Sequence, residues 1–594
     1  PAGYLNRLRS AVTSETPIVV EKILARDEQL RSNWPVQGTT GYEFLNDVED
    51  VFVDRTGFAE IERDYRRRRK LGDTTFHDIV LGGKTTILNG PLRADVDRLA
   101  ATLGTLAHAA GMRWTRREIA SAIVAFTAAL PVYRTYIDPS QPIADVDRAL
   151  VEQAAREAQT RNSRNAPIVA FIVDVLFGGP QQIDQTRRGQ FVRRLQQLTG
   201  PAAAKGLEDN ALYVYVPLAS RNEVGGAPDR PLDDAVGHLH DANAKRAKDW
   251  PSGLLCTTTH DTKRSADVRS RIDVLSEIPQ EWERSVRRWR RLNQKHRRVV
   301  KGRMAPDINS EYLLYQSLIA LWPAPRPGRR VDDLPDRRWR ESARDRLTQY
   351  MLKAAREAKL RTTWTDPDPG YESAITDFVA AVLQPAEDAP FLADVARLVS
   401  LIATAGAWNA LSRLAIHLTA PGTPDIYQGD EFWNYVLVDP DNRRQIDYDA
   451  RSAAASDIGA IETAMTSPGP LDPHDNRVKL FITARLLHAR RTHADLFTRG
   501  AYRKLPVTGS RAKHVIVFAR EHAGRCAITV ASRLTHASIA VQPSEWWADT
   551  AIALPAELHG RCWQFQLTPD AVSAQISLEL RRLFVKLPMT VAVG

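Results

Sequence analysis

The sequence predicts an α/β fold in which parallel strands alternate with helices, followed by a small antiparallel β-domain. Three observations carry this reading. Ile18 to Val20 is a short, fully apolar run after a helical segment, as a buried parallel strand should be. Gly253 to Thr258 reads as a second buried strand, with an apolar entry and a run of threonines that leads into the polar series Thr259-His260-Asp261-Thr262-Lys263-Arg264. After about residue 496 the period becomes two, in His514 to Phe518, Ala527 to Val530 and Trp563 to Leu567.

The elements follow in order. Tyr4, Leu5, Leu8 and Val12 lie at helical spacing, and Thr16-Pro17 ends that helix. The strand Ile18 to Val20 then delivers Glu21 at its C-terminal end. From about 46 to 208 the periodicity is helical, as in Val96, Leu99, Leu103 and Leu106, and reads as an insertion. Ala211 to Leu218 reads as a strand, and Gly253 to Thr258 as the next. Residues 276–390 form a second helical region. Val395, Leu398, Val399, Ile402, Trp408, Leu411 and Leu414 mark one long buried helix, followed by a strand at Pro424 to Gln428 and a helix from Val478 to His493. The expected organisation is 1–45 and 209–275 as barrel segments, 46–208 and 276–390 as helical insertions, 391–495 as the last strand with its helices, and 496–594 as the β-domain.

A chain of 594 residues is too long for one core. Its 43% hydrophobic and 26% charged residues are ordinary for a globular protein. No membrane span and no N-terminal signal are expected. Cys256, Cys526 and Cys562 are sparse and widely spaced, which fits a reducing cytoplasm. The net charge is +10, with basic runs at Arg66-Arg67-Arg68-Arg69-Lys70 and from Arg284 to Arg303, but high arginine usage runs through the whole chain as a compositional bias and not a localised patch. Val286, Trp289 and Leu292 interrupt the second run at helical spacing, so it reads as a helix with a solvated face and not as a nucleic-acid site. No His-x-x-x-His or Cys-x-x-Cys pair points to a metal. Leu81-Gly82-Gly83-Lys84-Thr85-Thr86 lacks the first glycine of a phosphate loop, so no cofactor is expected.

The chemistry concentrates at His260-Asp261. A carboxylate beside an imidazole and two cations at a strand end suits catalysis. The same residues suit a helix N-cap, with Asp261 or Thr262 capping a helix through Ala266, Val268 and Ile272. The residues alone leave both open. Glu21 ends an apolar strand, where partial burial would favour its protonated form, with Lys22 turned outward by strand alternation. A strand-end glutamate paired with an arginine is the plainer alternative. Trp34, Tyr42 and Tyr427 lie near strand ends, where aromatic faces can stack on sugar rings or merely pack a loop.

Four segments share a resemblance. They are Val19-Val20-Glu21-Lys22-Ile23-Leu24 leading to Trp34 through Tyr42; Gly206-Leu207-Glu208-Asp209-Asn210 through Asn222-Glu223-Val224-Gly225-Gly226; Leu254 through Ile272; and Pro421 through Glu431 with Leu437 through Arg444. In this order they resemble the maltooligosyl trehalose synthases, a family of the α-amylase superfamily. The resemblance implies a partial (β/α)8 TIM barrel of α-amylase type with large helical insertions and a C-terminal antiparallel β-domain. It implies Glu21 as the acid/base, Asp261 as the carboxylate that grips and distorts the reacting sugar, and His260, Lys263, Arg264, Trp34, Tyr42 and Tyr427 as substrate-binding residues. The family's nucleophile sits in an Arg-x-Asp-His signature, and none occurs here. The chain is therefore expected to be a C-terminal portion, inactive without an N-terminal half-barrel. The implied reaction converts the reducing-end α-1,4 linkage of a maltooligosaccharide to an α,α-1,1 linkage, needs no cofactor, and feeds a trehalose-releasing hydrolase. A hydrolase or isomerase of the same superfamily, and a non-catalytic glucan-binding chain, are the alternatives.

Overall fold

Four very short parallel strands organise the first three quarters of the chain: β1 (Val19–Val20), β2 (Gly38–Thr39), β3 (Leu254–Leu255) and β4 (Thr423–Pro424). β1 pairs with β2 in the register Val19↔Gly38, and β3 with β4 in the register Leu254↔Thr423. The structure is a computed structural model and describes residues 1–25, 27–325, 330, 333–384, 389–467, 471–574 and 576–594. Helix α1 (Ala2–Ala11) precedes β1, and α2 (Tyr42–Asp50) follows β2. Between β2 and β3 the backbones nearly touch. A Cβ on Gly38 would lie 2.7 Å from the Gly253 Cα, and one on Gly41 would lie 2.5 Å from the Leu254 carbonyl oxygen. Gly41 also has φ 96°, which L side chains rarely adopt.

Residues 46–208 carry helices and no strand among the described residues, including α3 (Phe76–Asn89). The glycine-rich stretch Leu81 to Thr86 lies inside α3 and not in a loop. Buried Lys84 donates to the Leu130 carbonyl at 2.8 Å. The region ends in a π-helix, Ala204–Ala211, packed on α3. The expected strand from Ala211 to Leu218 does not form. The segment continues as a helical turn, Leu212–Val214, and then runs irregularly through the core. Among the described residues no strand pairs with it, and side chains satisfy its backbone. Tyr65 Oη donates to the Val214 carbonyl, Gln316 Nε2 to that of Val216, and Asn222 Nδ2 to those of Leu212 and Tyr215. An apolar run of eight residues does not distinguish a strand from such a buried segment.

Further along come α4 (Ala235–Asp249), α5 (Ala266–Asp273) and α6 (Pro390–Thr419). A two-stranded hairpin, Arg298–Val300 with Arg303–Ala305, interrupts the otherwise helical region before α6. Of the apolar positions read along α6, Val395, Val399, Ile402 and Leu411 are at 0% exposure and Leu398 is buried, while Trp408 and Leu414 are half-buried. Each of the fully buried side chains contributes roughly 1.5–3 kcal/mol. By length and composition α6 could cross a membrane, but 67% of its apolar window is buried inside the fold.

The last hundred residues form a six-stranded sheet and a three-stranded one. In chain order the larger sheet comprises β5 (Ala501–Lys504), β6 (Val515–His522), β7 (Arg525–Ser532), β8 (Arg561–Phe565), β9 (Ala571–Ala574) and β10 (Met589–Val593). Its spatial order is β9-β8-β10-β7-β6-β5, so β10 sits in the middle, antiparallel to both neighbours.

A buried ionic network ties the layers together. Arg269 of α5 donates to Glu49 of α2 at 2.7 Å and lies 3.6 Å from Glu223. Arg413 of α6 bridges Glu49 at 3.2 Å and Asp273 at 2.9 Å. All five are at most 2% exposed. Removing one partner of such a set leaves an uncompensated buried charge, at a cost of about 3–5 kcal/mol.

Candidate functional site

The C-terminal ends of the strands carry Glu21 after β1, Tyr42 after β2, the polar turn 257–264 after β3 and Asp425 after β4. The turn is locked by its own threonines. Thr259 Oγ1 accepts from the Asp261 and Thr262 amides at 3.1 and 3.2 Å, and Thr262 Oγ1 returns a hydrogen bond to the Thr259 carbonyl at 3.0 Å. Helix α5 starts later and is capped by Ser265, which accepts from the Val268 amide. Asp261 and Thr262 therefore do not cap a helix, and the Asp261 carboxylate stands exposed with the exposed His260 beside it. Asn442 Nδ2 donates to the His260 carbonyl at 3.0 Å, and Tyr427 Oη donates to the Asn442 carbonyl at 3.1 Å. Tyr427 thus braces the loop that supports the turn.

Glu223 fixes the far side of the turn. Its carboxylate accepts the backbone amides of Lys263 at 2.7 Å and Arg264 at 2.8 Å, so the buried ionic network sets the height of Asp261. Tyr42 is 2% exposed and its hydroxyl hydrogen-bonds Thr259 Oγ1 at 3.0 Å. Burial pushes that hydroxyl well above the ordinary tyrosine range; Thr259 opposes this, while the charges of Asp261 and Glu21 add to it.

Several expectations are corrected. Glu21 is exposed and Lys22 is 9% exposed, the reverse of the alternation read from the sequence. The Lys22 ammonium is held inward by Glu28 at 2.7 Å and by the Ile23 carbonyl. β1 ends at Val20, so alternation no longer governs these two side chains. Trp34 does not present a face to the site. It is 8% exposed and packs edge-on against Tyr136, 4.8 Å between centroids, in a small core with Leu5, Ile18, Leu30 and Val36. Arg264 is 1% exposed; its Nη1 donates to the Ala219 carbonyl and its Nη2 to Tyr350 Oη, which ties it into the core. Lys263 is also buried, but it stays beside Asp261. Its ammonium lies 3.3 Å from Asp209. Burial works against its charge, and Tyr213, Glu208, Asp209 and Asp261 outweigh it, holding Lys263 above the usual lysine range.

Glu208 is the residue that sequence reasoning left without a role. It lies on the π-helix, 6% exposed, and accepts from the Gly225 amide at 2.9 Å and from Tyr133 Oη. Burial raises its carboxyl to about 7; Lys263, Tyr133 and Gly225 oppose the rise, and Asp261 adds to it. A π-helical insert often marks a functional site. The available signal was a glutamate in a Gly-x-Glu-Asp-Asn stretch followed by an apolar run. Tyr133 comes from the helical region before it, so that region walls the site. Asp441 accepts both prongs of Arg346 at 2.8 Å and the Leu437 amide, which makes it a loop brace. Among the described residues no group of three His, Cys, Asp or Glu could hold a metal ion.

The arrangement offers an exposed carboxylate on a rigid turn after β3, a second exposed carboxylate at the end of β1, and a buried proton-holding carboxyl behind a lysine. Such a set suits glycosyl transfer. No family model matches the chain. A Mycobacterium tuberculosis protein assigned as a maltooligosyl trehalose synthase is 31% identical over 528 residues, which is 88% of this chain and 60% of that protein. The chain thus spans about 60% of the length of the curated relatives it matches. The structure of maltooligosyltrehalose synthase from Arthrobacter ramosus is 32% identical with a TM-score of 0.81, covering 100% of this chain and 68% of that one. A hypothetical maltooligosyl trehalose synthase from Sulfolobus tokodaii is 25% identical with a TM-score of 0.70, over 100% and 68% respectively.

Proposed function

The chain belongs to the maltooligosyl trehalose synthase family, and from that premise we propose that it carries the acid/base half of an intramolecular transglucosylation site. The substrate is the reducing end of a maltooligosaccharide. Glu21 protonates the oxygen of the terminal α-1,4 bond as that bond breaks. A carboxylate on an N-terminal half-barrel takes the released anomeric carbon as a glycosyl ester. The freed glucose turns in place, and its anomeric hydroxyl attacks that ester. Glu21 takes back the proton, and an α,α-1,1 linkage results. A trehalose-releasing hydrolase would act on this product, and both steps belong in the cytoplasm.

The observation that carries this reading is the Asp261 turn. Asp261 is presented to solvent by Thr259 and Glu223, while Tyr42 and Lys263 stand directly behind it. Asp261 grips sugar hydroxyls in a bond that tightens as the ring flattens, and His260 adds a second contact. Lys263 places a buried positive charge close behind Asp261. Tyr133 and the helical region that bears it exclude water, which would otherwise hydrolyse the ester. The two parallel pairs β1–β2 and β3–β4 are read as four successive strands of a (β/α)8 barrel, with residues 46–208 and 276–390 as its insertions and 496–594 as its β-domain. The N-terminal half-barrel completes the barrel and brings the nucleophile.

The test is incubation with maltohexaose, with and without an N-terminal half-barrel fragment, while reducing ends are counted. Reducing ends are expected to disappear only with the fragment present, and Asp261→Asn is expected to abolish that loss. Reducing ends that increase would replace the reading with a hydrolase. No change in either mixture, with glucan binding intact, would replace it with a binding chain.

A further inference from the structure

The connection from β1 to β2 contains no helix among its described residues, although parallel strands are normally joined by one that covers the sheet. A cleft with about 300 Å³ of interior space opens there. It is walled by this connection, by Thr39 and Leu254 at the strands, by Glu43 of α2, and by Ala242 and Lys245 of α4 with Trp250 beyond it. It lies beside the site around Asp261, meeting it at Gly225, whose amide donates to Glu208, and at Glu28, which holds Lys22, and its size matches pockets that hold small ligands.

The chemistry of the wall narrows the ligand. Most of its charges are already matched. Asp47 accepts from Arg230 at 3.1 Å and lies 3.2 Å from His238 Nε2 and 3.5 Å from Arg246, and Glu28 is paired with Lys22 at 2.7 Å. These charges of the wall are thus paired, and Asp241 and Lys245 of α4 stand exposed at the rim. One deep polar atom is unspent. Glu43 Oε1 accepts from Thr39 Oγ1 at 2.6 Å, but Glu43 Oε2 is buried and has no partner. Burial favours the protonated carboxyl at Glu43, against the pull of Arg246. A sugar hydroxyl donates as well as accepts, so it pairs with Oε2 in either protonation state. Half-buried Trp250 supplies the aromatic wall that a sugar ring packs against.

We propose that this cleft is a second, non-catalytic carbohydrate site that takes one or two glucosyl units, with Glu43 Oε2 hydrogen-bonded to a ring hydroxyl and Trp250 against the ring. It rests on the proposed function only for the choice of an α-glucan among neutral sugars. The site would hold a glucan chain at a point removed from the reacting end, so that a released chain stays near the enzyme.

The experiment is titration of the chain with maltose and maltotriose by calorimetry and saturation-transfer NMR. It is done in an Asp261→Asn background to remove the first site. Saturable binding is expected to persist there, to vanish in Ala242→Trp, which fills the cleft from a half-buried helix position, and to weaken at least about tenfold in Trp250→Ala. Circular dichroism melts check that both variants fold; Ala242→Trp decides if Trp250→Ala does not. Saturable binding unchanged by Ala242→Trp would overturn the proposal, and so would its absence in Asp261→Asn. Neither result touches the proposed reaction, which the reducing-end assay tests with the unaltered chain.

Discussion

Glu208→Gln separates the proton held inside the π-helix from every other titration in the molecule. The folded Glu208 carboxyl titrates at about 7 against 4.5 in an exposed chain, mainly because burial penalises the anion. At 1.36 kcal/mol per decade this corresponds to about 3 kcal/mol. The folded value is raised, so the folded state binds more protons between pH 4.5 and 7. The contribution of Glu208 is fully favourable below pH 4.5 and is lost as pH rises through 7. Glutamine keeps the shape, can accept from Tyr133 and the Gly225 amide, and has no proton to lose. The difference in unfolding free energy between variant and parent should therefore shift toward the variant by about 3 kcal/mol from pH 4.5 to 8.5. Urea denaturation of both proteins across that range measures it, and all other groups cancel in the difference. A flat difference would refute the claim that Glu208 is buried near neutrality. A shift toward the parent would mean that Lys263 dominates burial and holds Glu208 ionised.

Gly41→Ala should destabilise the chain by about 3–5 kcal/mol in urea unfolding, because a Cβ there meets the Leu254 carbonyl at 2.5 Å and the residue has φ 96°. Gly72→Ala, at φ 54° with open space around it, is the control and should lose only about 1–2 kcal/mol, the cost of the left-handed backbone alone. Of the three cysteines Cys256 and Cys526 are buried and Cys562 is exposed, so one thiol should react promptly with Ellman's reagent in the native protein and all three in denaturant.

The sequence located the elements that local periodicity dictates. Apolar Val19-Val20, the heptad-like spacing from Val395 to Leu414 and the alternation from Val515 through Val530 all became the elements they predict. It failed where tertiary partners decide. Tyr215 and Val216 lie in a run rich in strand-forming residues, yet tyrosine, glutamine and asparagine side chains replaced the neighbouring strand that a ladder needs. At the site, the exposed His260-Asp261 turn is local and was visible as a motif. The burial of Lys22, Lys263 and Arg264 depends on Glu28, Asp209 and Tyr350, of which the last two are 54 and 86 residues away from their partners. Glu208 owes its raised carboxyl to burial in a shell that includes Tyr133, 75 residues earlier, although the Tyr133 hydroxyl itself works against the rise. No spacing rule within a short window reports such encounters.

The central position of β10 has a consequence for synthesis on the ribosome. β7 is finished at Ser532, but the strand that covers its free side begins only at Met589. During elongation at roughly 5–20 residues per second, that side waits about 3–11 s for its partner. The waiting side is Ala527-Ile528-Thr529-Val530-Ala531, apolar and rich in β-formers. It is thus a transient template for pairing between nascent chains, and high-level expression should be limited by aggregation at this strand before the native sheet has a chance to close.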